Sequence, residues 1–152
     1  IWLASSPDLR HWGNHRVLLS AHHGTTWDGD RIGASPPPLL TDRGWLVLYH
    51  GVDQSTSIPT YRLGLALLDR ERPDRVLRRS TEWLFAPHEA YEQRGDVKHV
   101  IFPCGWVTDG DHLRIYYGAA DASVALAHTR VSLLLDWLDD HSDLTEESSA
   151  AG

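Results

Sequence analysis

The sequence contains one cysteine, no long apolar run and no excess of basic charge. A single cysteine, Cys104, excludes an internal disulfide. Set between Pro103 and Gly105, it reads as a buried, reduced thiol, which suits a reducing compartment, and a cytoplasmic location is expected. The longest apolar stretches, WLVLY and SLLLDWL, fall far short of the ~20 residues that a bilayer requires, so no membrane partner is expected. The formal charge of -7 is concentrated at one end. Six of the 21 acids (Asp136, Asp139, Asp140, Asp143, Glu146 and Glu147) lie where there is no Lys or Arg, leaving 15 acids against 14 bases before them. An almost neutral body offers no basic stripe to displace counterions from a nucleic-acid backbone, so nucleic acid is not an expected partner. Residues 139–152 read as an acidic, disordered tail behind a domain of residues 1–138. Also missing are a GxSxG elbow, a glycine-rich phosphate loop and an HExxH pair. His11 and His15 have helical spacing, but Gly13 and Asn14 interrupt it, and His22-His23-Gly24 sits in a Gly/Thr-rich loop, so neither a metal nor a cofactor is expected. The chain starts at Ile1 without a methionine, and further sequence is expected before it.

With 41% hydrophobic and 23% charged residues, the composition is that of one globular domain. Comparing the chain with itself reveals a repeat. WLVLYHGVD, from Trp45, aligns with HLRIYYGAAD, from His112: Leu46, Leu48, Tyr49 and Gly51 fall on Leu113, Ile115, Tyr116 and Gly118, and His50 falls on Tyr117. Each copy follows a turn signal, TDRG or TDGD, and so reads as the second strand of a hairpin. A strand rich in small and aliphatic residues follows each, LGLALLD and VALAHT, and the chain opens on a third such segment, IWLASS. Alternation places Trp45, Val47 and Tyr49 on one face and Leu46, Leu48 and His50 on the other.

Short antiparallel strands recurring in units of about four are the mark of a β-propeller, with an all-β sandwich as the other reading. Propellers close with four to eight blades, and about two and a half are present here. The unpaired edges of so open a structure invite association, which leaves a homo-oligomer open. In a propeller, strand ends and loops surround a central channel. His50 and Tyr117, at equivalent strand ends, are candidates for one shared site. So are Arg31, upstream of the rigid run Pro36 to Pro38, and Asp121, after the second Tyr-Tyr-Gly. Composition and spacing alone favour the structural readings: a hydrogen-bonded His, a surface ion pair for Arg31 and a turn role for Asp121.

The segments IWLASSPDLRHWG, RIGASPPPLLTDRGWLVLYHGV, YRLGLALLDRERPDRVLRRS, PHEAYEQRGDVKHVIFPCG and IYYGAADASVALA, in this order, resemble the mannoside phosphorylases of glycoside hydrolase family 130. The resemblance implies a partial five-bladed β-propeller, all-β, corresponding to the C-terminal half of such an enzyme. It implies phosphorolysis of β-mannosides by inorganic phosphate, a co-substrate, to give α-mannose 1-phosphate with inversion. Arg31 and His50 fall on phosphate-binding positions and Tyr61 and Asp121 on the mannosyl side, where Tyr117 is also expected from its place in the repeat. The family commonly has Lys where Arg31 stands, which exchanges a point charge for a planar fork. Its catalytic aspartate lies in the N-terminal half, so this chain is expected to contain no general acid and to be inactive alone. A β-mannoside hydrolase on the same scaffold and a non-catalytic carbohydrate-binding propeller are the alternatives. Linkage and acceptor are not legible.

Overall fold

The computed structural model describes residues 1–22, 24, 26–53 and 58–144. Three antiparallel sheets follow one another along the chain. The first joins β1 (Trp2–Ser5) to β2 (Gly13–Val17). The second is built from β3 (Arg31–Ala34), β4 (Leu39–Thr41), β5 (Gly44–Asp53), β6 (Thr60–Leu68) and β7 (Val76–Ser80). After a short helix, α1 (Ala90–Gln93), the third comprises β8 (Ile101–Asp109), β9 (His112–Ala119) and β10 (Ser123–Arg130). Helix α2 (Val131–Asp140) comes next, and β11 (Ser142–Leu144) returns to the free edge of β7.

The repeat seen in the sequence is a repeat of architecture. Both aligned segments are the second strand of a hairpin, β5 after β4 and β9 after β8, and each pairs onward with its small-residue strand, β6 or β10. Gly44 (φ 135°) and Gly110 (φ 58°) supply the left-handed backbone that each turn requires. The Pro36 to Pro38 run separates β3 from β4, both paired to β5, and so occupies a break in the ladder where no N–H is demanded.

β5 is buried on both faces, as the alternation implies. Leu46 and Leu48 join a core with Leu63, Leu65, Ile101, Leu113 and Ile115, and Val47 and Tyr49 face Leu19 and Trp27 in a second core. The Trp27 ring packs against Gly51 and Gly64, where a Cβ on either glycine would collide with it, and at Gly51 with Asp28 as well. That collision explains the small residues at these positions better than any turn does.

Three sequence expectations change. SLLLDWL, read only as an apolar run, is part of helix α2, which seats Leu134, Leu135 and Leu138 in the first core. Asp111, in the β8–β9 turn, accepts from the Ser132 amide (2.9 Å) and hydroxyl (2.7 Å) and so caps a helix whose own N-cap, Arg130, cannot. The helix runs through the expected boundary at residue 138, and Asp139 pairs with Arg43 (2.6 Å) and Arg78 (3.1 Å); residues 145–152 of the expected tail lie outside the described residues. Cys104 is exposed, not buried. Its side chain alternates outward with that of Phe102 while Ile101 and Pro103 face inward, and a bulge between Pro103 and Gly105 shifts the strand register beyond it. Among the described residues, no helix is long and apolar enough to cross a membrane.

Candidate functional site

The site grows from the pairing of β3 with β5. Gly33 stands opposite His50, and the imidazole lies over it, filling the space that a Cβ would need. Ser35, two residues on and therefore on the same face, places its hydroxyl 3.2 Å from His50 Nδ1. Pro36 restricts the backbone of Ser35 to extended conformations, so the Pro run stiffens the segment that holds the ring. Tyr61 of β6 stacks against the imidazole (centroids 5.8 Å, 28°), and Phe102 of β8 packs on it in a tilted arrangement (4.8 Å, 45°). Arg31 donates from Nη2 to the Tyr61 hydroxyl (2.7 Å), and its guanidinium carbon lies 5.7 Å from that ring's centroid. Burial, and then the positive charge of Arg31, lower the pKa of His50 below its ordinary value.

Tyr61 and Phe102 continue into a cleft completed by Val97, Val100 and Asp121. Asp121 is exposed and stands in left-handed backbone (φ 51°), directly after Ala120 (φ 49°). Four of the five residues singled out in the sequence are therefore assembled: Arg31, His50 and Tyr61 in one stack, with Asp121 across the cleft. Tyr117 is placed differently. It is buried, and its hydroxyl donates to Oε1 of Glu92 (2.6 Å) and lies 3.4 Å from that of Tyr91. Burial and the adjacent carboxylate push its phenol far above the ordinary range.

Two buried acids had no signal in the sequence. Glu92 sits beneath the cleft wall. Asp28, fully buried on the other face of β5, accepts from Arg79 (2.7 Å) and Tyr49 (3.2 Å), and His22 Nδ1 lies 2.8 Å from its other oxygen. Burial pushes the Tyr49 phenol up to about 12, despite the nearby guanidinium. His11 is held by Asp8 (2.7 Å) in the SPDL turn. Among the described residues, no group of three or more His, Cys, Asp or Glu is placed to hold a metal; His23 lies outside them.

The profile of glycoside hydrolase family 130, described as beta-1,4-mannooligosaccharide phosphorylase, matches residues 1–140. The chain belongs to this family. It is 38% identical over 146 residues to a beta-1,4-mannooligosaccharide phosphorylase of Ruminococcus albus, covering 95% of this chain and 43% of the relative. It is 42% identical over 139 residues to a beta-1,2-mannobiose phosphorylase of Listeria innocua (91% and 38%). The structure of a Listeria innocua beta-1,2-mannobiose phosphorylase in complex with beta-1,2-mannobiose superposes with a TM-score of 0.86 at 41% identity, over 92% of this chain and 38% of that one. A further structure (TM-score 0.76, 30% identity, 86% and 40%) was presented with the finding that this family of mannoside phosphorylases contains glycoside hydrolases that target beta-1,2 mannosidic linkages in Candida mannan. The chain spans less than half the length of these relatives.

Proposed function

We propose that the complete gene product is a β-mannoside phosphorylase on a five-bladed propeller, to which this chain contributes the phosphate side and part of the mannosyl side of the cleft. The observation that carries this reading is the Arg31–Tyr61–His50 stack at the cleft, a cation and an imidazole clamped by aromatic rings and a glycine seat. An inverting glycosidase uses two carboxyl groups, one to protonate the leaving oxygen and one to activate water. Phosphate is already a nucleophilic anion, so cationic and hydrogen-bonding side chains take the place of the second carboxylate by holding it. A phosphate oxygen then forms a bond to the mannosyl anomeric carbon on the face opposite the leaving group. The glycosidic C–O bond breaks, and a general acid, assigned to a segment outside this chain, gives its proton to the departing oxygen. The product is α-mannose 1-phosphate.

Relatives named for β-1,2 and for β-1,4 linkages match comparably, so the proposal covers β-mannosides as a class. It is tested by incubating the complete gene product with β-1,2- and β-1,4-mannobiose, with and without inorganic phosphate. Mannose 1-phosphate formed only with phosphate is the expected result. Free mannose released equally well without phosphate replaces the phosphorylase with the hydrolase.

Asp121 is assigned to mannosyl hydroxyls, as a carboxylate acceptor. Asp121→Asn is expected to lower kcat/KM for the mannoside by an amount equivalent to about 1.5–3 kcal/mol, the scale of a hydrogen bond to a charged group. Unchanged mannoside kinetics would reduce Asp121 to a turn residue. Tyr117 serves the same side indirectly, through Glu92.

A further inference from the structure

The wall of the cleft opposite His50 is made from backbone that ought not to be stable. Of the five non-glycine residues with positive φ among the described residues, three lie in it or directly beside its lining: His99 (57°), Ala120 (49°) and Asp121 (51°). Such conformations are strained for side-chain-bearing residues and persist only where the surroundings determine them. The hydrogen bonds show what does so here. The Val100 amide donates to the Glu92 carbonyl (3.3 Å), the Ala120 amide to the Val100 carbonyl (2.8 Å), and the Val97 amide to the Ala120 carbonyl (3.1 Å). Gly95 packs so closely on Ala120 that a Cβ there would strike its carbonyl oxygen. Residues 92–100 and the turn carrying Asp121 are therefore one hydrogen-bonded body.

Glu92 anchors that body. Its side chain is 1% exposed and every contact is a donor: the amides of His88 (2.7 Å) and Glu89 (2.8 Å) on Oε2, and the Tyr117 hydroxyl (2.6 Å) on Oε1. Burial alone would raise this carboxyl, yet the three hydrogen bonds hold it below its ordinary value, so it is ionised at neutral pH. A buried carboxylate satisfied by one strand residue and two loop amides ties the loop to β9 at a fixed height.

We propose that Glu92 is a positioning residue for the mannosyl side of the cleft, holding Asp121 through the 92–100 loop and the Ala120 turn. This rests on the mannosyl reading of Asp121. The phosphate side depends on Glu92 much less. Tyr61, which joins the Arg31–His50 stack and also lines the cleft, is hydrogen-bonded to the loop through its amide, which donates to the His99 carbonyl (3.1 Å), and it is independently fixed by its pairing with Val52 of β5.

The test uses Glu92→Gln in the complete gene product, an isosteric change that turns one acceptor into a donor facing donors. The KM for mannobiose is expected to rise roughly three- to tenfold, with the phosphate KM within about twofold of wild type, the split that lost ground-state positioning of one substrate produces. In an Asp121→Asn background, Glu92→Gln should add less than about twofold, because both changes remove the same interaction. Tyr117→Phe, which keeps the ring against Phe85 and removes one donor, should shift the mannobiose KM in the same direction. Equal rises in both KM values, or fully multiplicative effects in the double variant, would overturn the proposal. Hydrogen exchange at the Val97, Val100 and Ala120 amides reads the anchor without turnover: exchange should quicken in Glu92→Gln, and unchanged protection would overturn the proposal. If Asp121→Asn leaves mannobiose kinetics unaltered while exchange still quickens, the mannosyl assignment has failed and not the anchor.

Discussion

Replacing His50 or Arg31 with alanine in the complete gene product is expected to cut kcat/KM for phosphate roughly 10- to 150-fold, leaving the mannoside KM nearly unchanged. The magnitude is one hydrogen bond to a charged group, about 1.5–3 kcal/mol, at 1.36 kcal/mol per factor of ten. The asymmetry follows from what each side chain offers the two substrates: the anion loses a charge-assisted partner, while the mannosyl unit loses none. Melting temperature should move little for Arg31→Ala, since the guanidinium is exposed and its main contact is the Tyr61 hydroxyl. A purely structural His50 would reverse the pattern, with stability falling as Ser35 loses its partner and Tyr61 and Phe102 lose the ring between them. Initial rates against phosphate at saturating mannobiose, beside a thermal melt, separate the two. If both variants keep the wild-type phosphate KM and kcat, these residues belong to the fold.

The hairpins β4–β5 and β8–β9 were legible because their information is local. Alternation, a turn with glycine at its left-handed position and a following strand of small residues lie within about 25 positions, on the scale of a β-hairpin signal. Arg31 and His50 were legible for a related reason, since cross-strand pairing in β3–β5 brings together residues that share one quoted segment. What escaped was long-range or face-specific. Helix α2 draws its cap from Asp111, on a different element, so no capping residue marks its start. Cys104 follows the alternation that turns Phe102 outward and Ile101 and Pro103 inward, so its exposure depends on which face of β8 the rest of the fold covers. Tyr117, equivalent to His50 in the repeat, meets a loop and helix that the first unit lacks, and Glu92 claims its hydroxyl. Asp28 and Arg79 are 51 residues apart, and nothing near either hints at the other.

That last pair carries the largest effect expected on stability. Asp28 is fully buried, Arg79 is only 12% exposed, and their 2.7 Å contact sits in a network with Tyr49, His22 and the Ser20 carbonyl. Removing one member of a buried pair leaves an uncompensated charge, at about 3–5 kcal/mol. Arg79→Ala is expected to cost that much and to lower the melting temperature by roughly 6–20 °C, at 2–4 °C per kcal/mol for a protein of this size or larger. Asp28→Ala should cost less, because Arg79 keeps the Ser20 carbonyl and the Tyr49 hydroxyl and lies nearer water. The double variant should be less destabilised than the sum of the two, with a coupling of about 0.5–3 kcal/mol by urea unfolding. Phosphate and mannoside KM values should stay near wild type below the melting transition, since the network lies on the Tyr49 face of β5 and His50 on the other. Strict additivity of the two substitutions, or a melting temperature within about 2 °C of wild type for Arg79→Ala, on the same scale, would show that the ion pair does not hold the β5 face to the loop carrying Trp27 and Asp28.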